Sequence, residues 1–184
     1  MRVIAGSAKG LRLAAVPDGT RPLADRAREG LFSSLGETVR AARVLDLFAG
    51  TGAVGIEALS RGADRADFVD SSATAVKTVR ENLRRTGLAD RATVLRRDAL
   101  RFVLGDPGPF DVVFLDPPYA TPPGVLDPVL AALRGTGVAA RGALVVLTRS
   151  SESYTPVIPL HWLADRRLSY GDVAILVFRA GTAD

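Results

Sequence analysis

From Arg43 onward the chain alternates between short apolar runs and longer stretches in which apolar residues recur every three or four positions. The runs Val44–Phe48, Ala66–Val69, Thr93–Arg96, Asp111–Leu115 and Ala143–Leu147 have the length of strands. Between them, Ala53–Arg61, Ala73–Thr86, Ala99–Leu104 and Val125–Arg134 carry helical spacing. Such alternation predicts parallel strands joined by right-handed crossovers, with helices on both faces. The pattern changes at both ends. Arg166–Tyr170 and Val173–Phe178 flank the tight turn Gly171-Asp172 and predict an antiparallel hairpin. Arg2–Ala5 and Leu11–Val16 flank a small-residue turn and predict two further short strands. Pro17-Asp18-Gly19 and Pro22 mark a linker, followed by a helix from Ala24 to Leu35 with Ala27, Leu31 and Phe32 on one face. The expected class is α/β: a mostly parallel seven-stranded sheet with an antiparallel C-terminal edge over residues 41–184, preceded by a hairpin and helix extension over 1–40.

Composition changes little in that picture. A chain of 184 residues fits one domain, and 47% apolar with 24% charged residues is ordinary for a globular protein. There is no cysteine and one histidine, His161, so neither a disulfide framework nor a metal centre is expected. Its neighbour Trp162 is expected to pack against the sheet. No apolar run approaches the roughly 18 residues of a membrane span, and the start lacks a signal-peptide core; a cytoplasmic protein is expected.

Charge does change the picture. The formal net charge is +4, and residues 1–43 hold eight basic against four acidic side chains while the remainder balances. A basic segment beside a neutral body has the form of a polyanion-binding arm, with a solvated arginine-rich surface as the alternative reading. Arg28 falls near the apolar stripe of its helix, so its head is expected to point toward the cleft.

Two stretches carry chemistry. The first strand runs into Asp46-Leu47-Phe48-Ala49-Gly50-Thr51-Gly52-Ala53-Val54-Gly55, where Gly50, Gly52 and Gly55 satisfy G-x-G-x-x-G between a strand and a helix. Asp70, at the end of the second strand, stands where a ribose-binding acid belongs. Asp46 beside the loop would repel a diphosphate and suit a cation, and Asp98 after the third strand offers an acceptor to an adenine amino group. S-adenosylmethionine, with its cationic sulfonium and amino groups and no phosphate, fits that charge pattern better than a dinucleotide. The second stretch, Asp116-Pro117-Pro118-Tyr119, follows a buried strand expected to lie beside the first. An exocyclic base amine is a weak nucleophile, because its lone pair is delocalised into the ring. Acceptors at its N–H groups, Asp116 and the Pro117 carbonyl, would localise and aim that pair, and Tyr119 can stack on the base.

These residues carry a resemblance. Asp116-Pro117-Pro118-Tyr119 resembles the (D/N/S)-P-P-(Y/F/W) motif of methyltransferases that act on nucleic-acid amines, and "DLFAGTG" resembles their cofactor loop. Together with "MRVIAGSAKGLRL", "TRPLADRAREGLFSSLG" and "LDLFAGTGAVGIEALSRGA", they are similar to the RsmD family, from Met1 through Tyr119 and more weakly to the final hairpin. The resemblance implies a Rossmann-like class I methyltransferase fold and methylation of the N2 amine of guanine 966 in 16S ribosomal RNA. It also implies that Asp46, Phe48, Gly50, Thr51 and Gly52 wrap the methionine end of the cofactor, Asp70 and Ser71 take the ribose, and Asp98 and Ala99 border the adenine. Leu23-Ala24 stand where the family has two threonines, which removes any hydroxyl contact there, while Asp25, Arg26 and Arg28 remain.

A monomer acting on 16S rRNA, within an assembling small subunit, is the expected partnership. Arg2, Lys9, Arg12, Arg21, Arg26 and Arg28 are the expected RNA contacts, and the arm is expected to order fully only against RNA, since two strands alone are unstable. The competing readings are a DNA adenine-N6 methyltransferase, disfavoured because the chain has no room for a target-recognition domain, and a non-catalytic RNA-binding assembly factor, disfavoured by the intact Asp116 and glycine loop. An NAD-dependent dehydrogenase is weakest, since nothing supplies its acid–base chemistry.

Overall fold

The computed structural model describes residues 1–16 and 23–181; the linker prolines Pro17 and Pro22, and with them Arg21, lie outside the described residues. The elements follow in the order α1 (Asp25–Leu35), β1 (Arg43–Leu47), α2 (Ala53–Ser60), β2 (Arg65–Asp70), α3 (Ala73–Thr86), β3 (Ala92–Arg96), α4 (Ala99–Val103), β4 (Phe110–Leu115), α5 (Pro123–Gly135), β5 (Ala139–Ser150), β6 (Leu163–Tyr170) and β7 (Val173–Arg179). One seven-stranded sheet has the order β3-β2-β1-β4-β5-β7-β6, parallel from β3 through β5 and antiparallel at β7 and β6. The α/β expectation holds. No helix of the described residues is long and apolar enough to cross a membrane.

Period-two alternation sorts the core into two layers. Val44, Phe68, Phe114 and Val146 face α1, α2 and α3, where the Phe32 and Phe114 rings meet with centroids 5.7 Å apart. Leu45, Leu47, Val113 and Leu147 face α4 and α5. Trp162 is buried in the second layer, 6.3 Å from the Phe178 ring, as its apolar surroundings predict. Strand β5 is longer than its apolar centre, because its pairing with β7 continues to Ser150 opposite Val173.

The amino-terminal segment departs from expectation. Instead of two strands there is a single antiparallel bridge, Arg2 with Arg12, flanked by bonds from Val3 N–H to the Leu11 carbonyl (3.0 Å) and from Gly10 N–H to the Val3 carbonyl (2.9 Å). Several other backbone groups are satisfied by side chains far along the sequence. Ile4 and Ala5 N–H donate to the two oxygens of Glu57 at 2.7 and 3.0 Å. Ser60 Oγ accepts from Ala8 N–H (3.0 Å) and donates to the Ala5 carbonyl (2.5 Å). Approach is so close at Gly6 that a Cβ would lie 1.8 Å from the Ser60 carbonyl oxygen. Val3, Ala8 and Leu13 join the same core layer as α1 and α2. Residues 1–16 therefore pack against α2 through side chains and not as a strand pair.

Arg28 is the second departure. Rather than reaching the cleft, it is fully buried. Its guanidinium donates to the carbonyls of Arg2 and Leu23, pairs with Asp25 at 2.9 Å and lies 3.8 Å from Glu57. Buried beneath the arm, it fastens that segment and reaches no RNA. Glu57, also fully buried, further holds Arg61 at 2.7 Å. Removing one partner of a buried ion pair leaves the other charge unpaired, at a cost of about 3–5 kcal/mol. Glu57→Ala is therefore predicted to lower unfolding stability by about that amount in urea titrations, and to abolish hydrogen-exchange protection at Ile4 and Ala5.

Candidate active site

The parallel strands bring their carboxyl ends to one edge, and the strand order reverses between β1 and β4. Ligands of open α/β sheets collect at that crevice. Here Asp46 lies on β1 opposite Phe114 of β4, Asp116 follows the end of β4, and Asp70 ends β2. A cavity of about 660 Å³ opens over them, lined by Asp46, Phe48, Gly50, Thr51, Asp70 and Ser71 on one side and by Asp116 through Ala120 on the other. Val16 and Leu23, flanking the linker, also reach it. Among the described residues no arginine, lysine or histidine lines this cavity.

The acids are individually constrained. Asp46 is 1% exposed and accepts a hydrogen bond from Gly55 N–H at 3.0 Å. Burial holds its pKa well above the usual carboxylate range; Asp116 and Asp70 push the same way, and the Gly55 amide opposes them. That amide reaches Asp46 because Gly55 lacks a side chain, since a Cβ would lie 2.4 Å from the Phe68 ring. Asp70 is tied to the loop: its oxygens accept from Gly50 N–H (2.9 Å) and Ser72 N–H (2.8 Å). Phe48 takes φ 63°, a conformation costly for a bulky residue, at the point where the loop turns over the cavity. Gly52 stands behind the lining as the left-handed first cap of α2.

Asp116 is partly exposed as a residue, yet its carboxyl is surrounded by protein, and burial raises its pKa to about 7. The turn after it closes with Thr121 N–H on the Pro118 carbonyl at 2.8 Å, while among the described residues the Pro117 carbonyl accepts no hydrogen bond. Tyr119 lines the cavity, and its carbonyl accepts from Arg149 Nη2 (3.3 Å) and Ser153 Oγ (3.4 Å). Arg149, 3% exposed, lies 5.0 Å over the Tyr154 ring and braces the turn from β5.

Asp98 and Ala99 are not brought into this cavity. Asp98 Oδ1 caps α4 by accepting from Arg101 N–H at 3.0 Å, Ala99 is buried beneath it, and the residue borders a neighbouring depression that shares Ser71. Arg2, Lys9, Arg12 and Arg26 are exposed, and none forms an ion pair with an acid among the described residues.

Sequence reasoning missed Asn82 and Arg149. Asn82 is fully buried; its amide exchanges hydrogen bonds with Ala14 (2.7 and 3.1 Å) and donates to the Thr51 carbonyl at 2.9 Å, joining the arm to the glycine loop. A polar amide beside Val79 and Leu83, and a charge directly after an apolar strand, were the available signals.

Comparison with known proteins adds ancestry to this geometry. A family model described as conserved hypothetical protein 95 matches residues 1–179. The chain belongs to this family, the RsmD family. Ribosomal RNA small subunit methyltransferase D of Escherichia coli K12 is 35% identical over 181 residues, covering 97% of this chain and 89% of that relative. The solved structure of yhhF from Escherichia coli superposes with a TM-score of 0.87 at 33% identity, covering 100% of this chain and 99% of that one. A ribosomal protein L11 methylase from Lactobacillus delbrueckii, at 15% identity and TM-score 0.66 over 89% of this chain and 80% of that one, shares the fold. The RsmD-family chain thus has the class I methyltransferase fold.

The raised acids have a pH consequence. An Asp whose folded pKa lies above its unfolded value takes up a proton on folding, so stability is greatest below the unfolded pKa and falls as pH rises through the folded one. For Asp116 the window runs from its ordinary value of 3.8 to about 7. Urea midpoints of the parent are predicted to fall between pH 4 and 7, and Asp116→Asn to lose part of that slope; an unchanged slope would place the carboxyl in water.

Proposed function

We propose that this RsmD-family methyltransferase transfers a methyl group from S-adenosylmethionine to the exocyclic N2 amine of a guanine in 16S rRNA, at the position the family resemblance implies, guanine 966. The observation that carries the proposal is the convergence of Asp46, Asp70 and Asp116 on one cavity with no basic side chain among its described lining residues. That set repels phosphate and suits a cation, so the cavity fits the methyl donor and not a dinucleotide. When bound, the cofactor supplies an electrophilic methyl group next to a cation-compatible wall.

The chain's own residues do the rest. Asp46 and the loop Phe48 to Thr51 hold the amino-acid end, and Asp70 with Ser71 holds the ribose. Asp116, once ionised, accepts from guanine N1–H and N2–H together, and the Pro117 carbonyl accepts a hydrogen bond from the remaining amine N–H. Both acceptors localise the amine lone pair and aim it, so positioning carries the acceleration. Tyr119 stacks on the extracted base, held in place by Arg149 and Ser153 through its carbonyl. The exposed cations Arg2, Lys9, Arg12 and Arg26 take RNA phosphates, giving the extension over 1–40 an RNA-holding task beside the methyltransferase body, 41–184. The particle form of the substrate is an assembling small subunit, and the enzyme works as a monomer. Relatives named as small-subunit rRNA methyltransferases support the substrate class.

The test is methyl incorporation from labelled S-adenosylmethionine into unmethylated small-subunit particles, naked 16S rRNA and duplex DNA, with digestion to nucleosides. N2-methylguanosine from the ribosomal substrates is expected. N6-methyladenosine in DNA would support the adenine enzyme instead, and no product would support a non-catalytic factor. Asp116→Ala should lower the rate by about 100-fold or more, with cofactor affinity within a few-fold. Tyr119→Phe should retain most activity, whereas Tyr119→Ala should lose stacking worth about 1–3 kcal/mol.

A further inference from the structure

We infer that Arg149, held by the ring of Tyr154, is a positioning residue that fixes the turn 116–119 and with it the aim of the target amine. The inference rests on the methyl-transfer reading above. Pro117 and Pro118 carry no N–H, so those two positions cannot donate bonds that would knit the turn from within. Its hold comes from outside. Leu147 of β5 pairs with Leu115, the residue before Asp116, and Arg149 stands two residues further along β5 on the same face. From there its Nη2 donates to the Tyr119 carbonyl at 3.3 Å, and Ser153 Oγ donates to the same oxygen at 3.4 Å. The guanidinium sits 5.0 Å over the Tyr154 ring. Tyr154 is fastened in turn to α5: its hydroxyl donates to Asp127 Oδ1 at 3.3 Å, and Val157 N–H donates to the same oxygen at 3.1 Å. A chain of contacts thus runs from Asp127 through Tyr154 and Arg149 to the Tyr119 carbonyl, joining a helix to the catalytic turn.

The chemistry of Arg149 separates this task from packing. It is 3% exposed, and its Nε and Nη1 have no hydrogen-bond partner among the described residues. No acid forms an ion pair with it among those residues either. A buried cation with two idle donors is costly, and an apolar side chain of similar length would fill the space without that penalty. Such a side chain could not donate to the Tyr119 carbonyl. The group that holds the charge points the same way. An aromatic face attracts a guanidinium without adding net charge, whereas a carboxylate here would join Asp46, Asp70 and Asp116 at the same sheet edge. Tyr154 remains a neutral ring: burial raises its pKa, the Asp127 charge adds to the rise and Arg149 opposes it. Arg149 is not a counter-charge to Asp116, whose pKa is raised by burial alone. Its influence passes through the shape of the turn.

The experiment uses the full chain as Arg149→Met, Arg149→Lys, Tyr154→Leu and Tyr154→Phe, with Arg166→Met as the control. Arg166 also binds a backbone carbonyl, that of Ser34, but from β6 at the far edge of the sheet. Single-turnover methylation of unmethylated small-subunit particles gives the saturated rate and the half-saturating substrate concentration, and calorimetry gives S-adenosylmethionine affinity. Hydrogen exchange reads Thr121 N–H, whose bond to the Pro118 carbonyl closes the turn. Arg149→Met is expected to lower the saturated rate by about 10- to 100-fold, the size of an ångström-scale misplacement. Half-saturation and cofactor affinity should stay within about threefold, and exchange at Thr121 should quicken. Tyr154→Leu should match it, Tyr154→Phe should lose much less, and Arg149→Lys, which keeps a cationic donor, should regain part of the rate. Because both residues act along one path, the Arg149→Met, Tyr154→Leu double variant should be no slower than the slower single one. A parent-like rate, a loss confined to half-saturation, additive losses in the double variant or an equal fall in Arg166→Met would each overturn the inference. Parent-like exchange at Thr121 in Arg149→Met would overturn it too. That reading decides the matter even if the parent methylates no substrate, a result that would sink the functional proposal by itself. Should Arg149→Met fail to fold, Arg149→Lys and Tyr154→Leu carry the same comparison.

Discussion

Three carboxylates brought together at the reversal of strand order, with no basic side chain among the described residues of the cavity, are the constraint around which this protein is arranged. Burial penalises the charged forms of Asp46 and Asp116, and the neighbouring acids push Asp46 the same way, so both hold their protons far more tightly than free acids. The fold tolerates this through fixed backbone donors. Gly55 N–H serves Asp46, and the Gly50 and Ser72 amides serve Asp70. The glycine loop is thus shaped as much by the need to supply N–H groups to acids as by the ligand it receives. Among the described residues no backbone donor serves Asp116, and burial alone raises its pKa. It is the acid left for substrate.

The arm and the site are mechanically one object. Asn82 joins Ala14 to the Thr51 carbonyl, and Val16 and Leu23 carry the arm to the cavity rim. Glu57, Arg28 and Ser60 anchor its beginning to α2, the same helix whose first turn supplies the amide for Asp46. On the opposite side, Arg149 and Ser153 brace the catalytic turn from β5 and the segment after it. Both walls of the cavity are therefore set by buried polar contacts spanning large sequence separations.

That separation marks the limit of what the sequence disclosed. The β–α alternation, the closing hairpin and the places of Asp46, Asp70 and Asp116 were legible because each depends on local periodicity or on a strand end. The arm's strands were misjudged: its backbone donors at Ile4, Ala5 and Ala8 are claimed by Glu57 and Ser60, about fifty residues on. Arg28 looked like a cleft cation, because helical spacing locates a side chain on a face but cannot reveal a buried acid on a neighbouring helix. Asp98 was legible as an acceptor at a strand end, but its capping of α4 through Oδ1 was not.

The central claim is that the acids of this cavity await a cation. Protons held by Asp46 and Asp116 must leave when a positive charge settles beside them. Calorimetry of S-adenosylmethionine binding near pH 7, repeated in buffers of different ionisation enthalpy, reads that exchange directly. The account predicts net proton release on binding, reduced in Asp116→Asn. Binding of S-adenosylmethionine with no buffer dependence, or tighter binding of NAD, would contradict it.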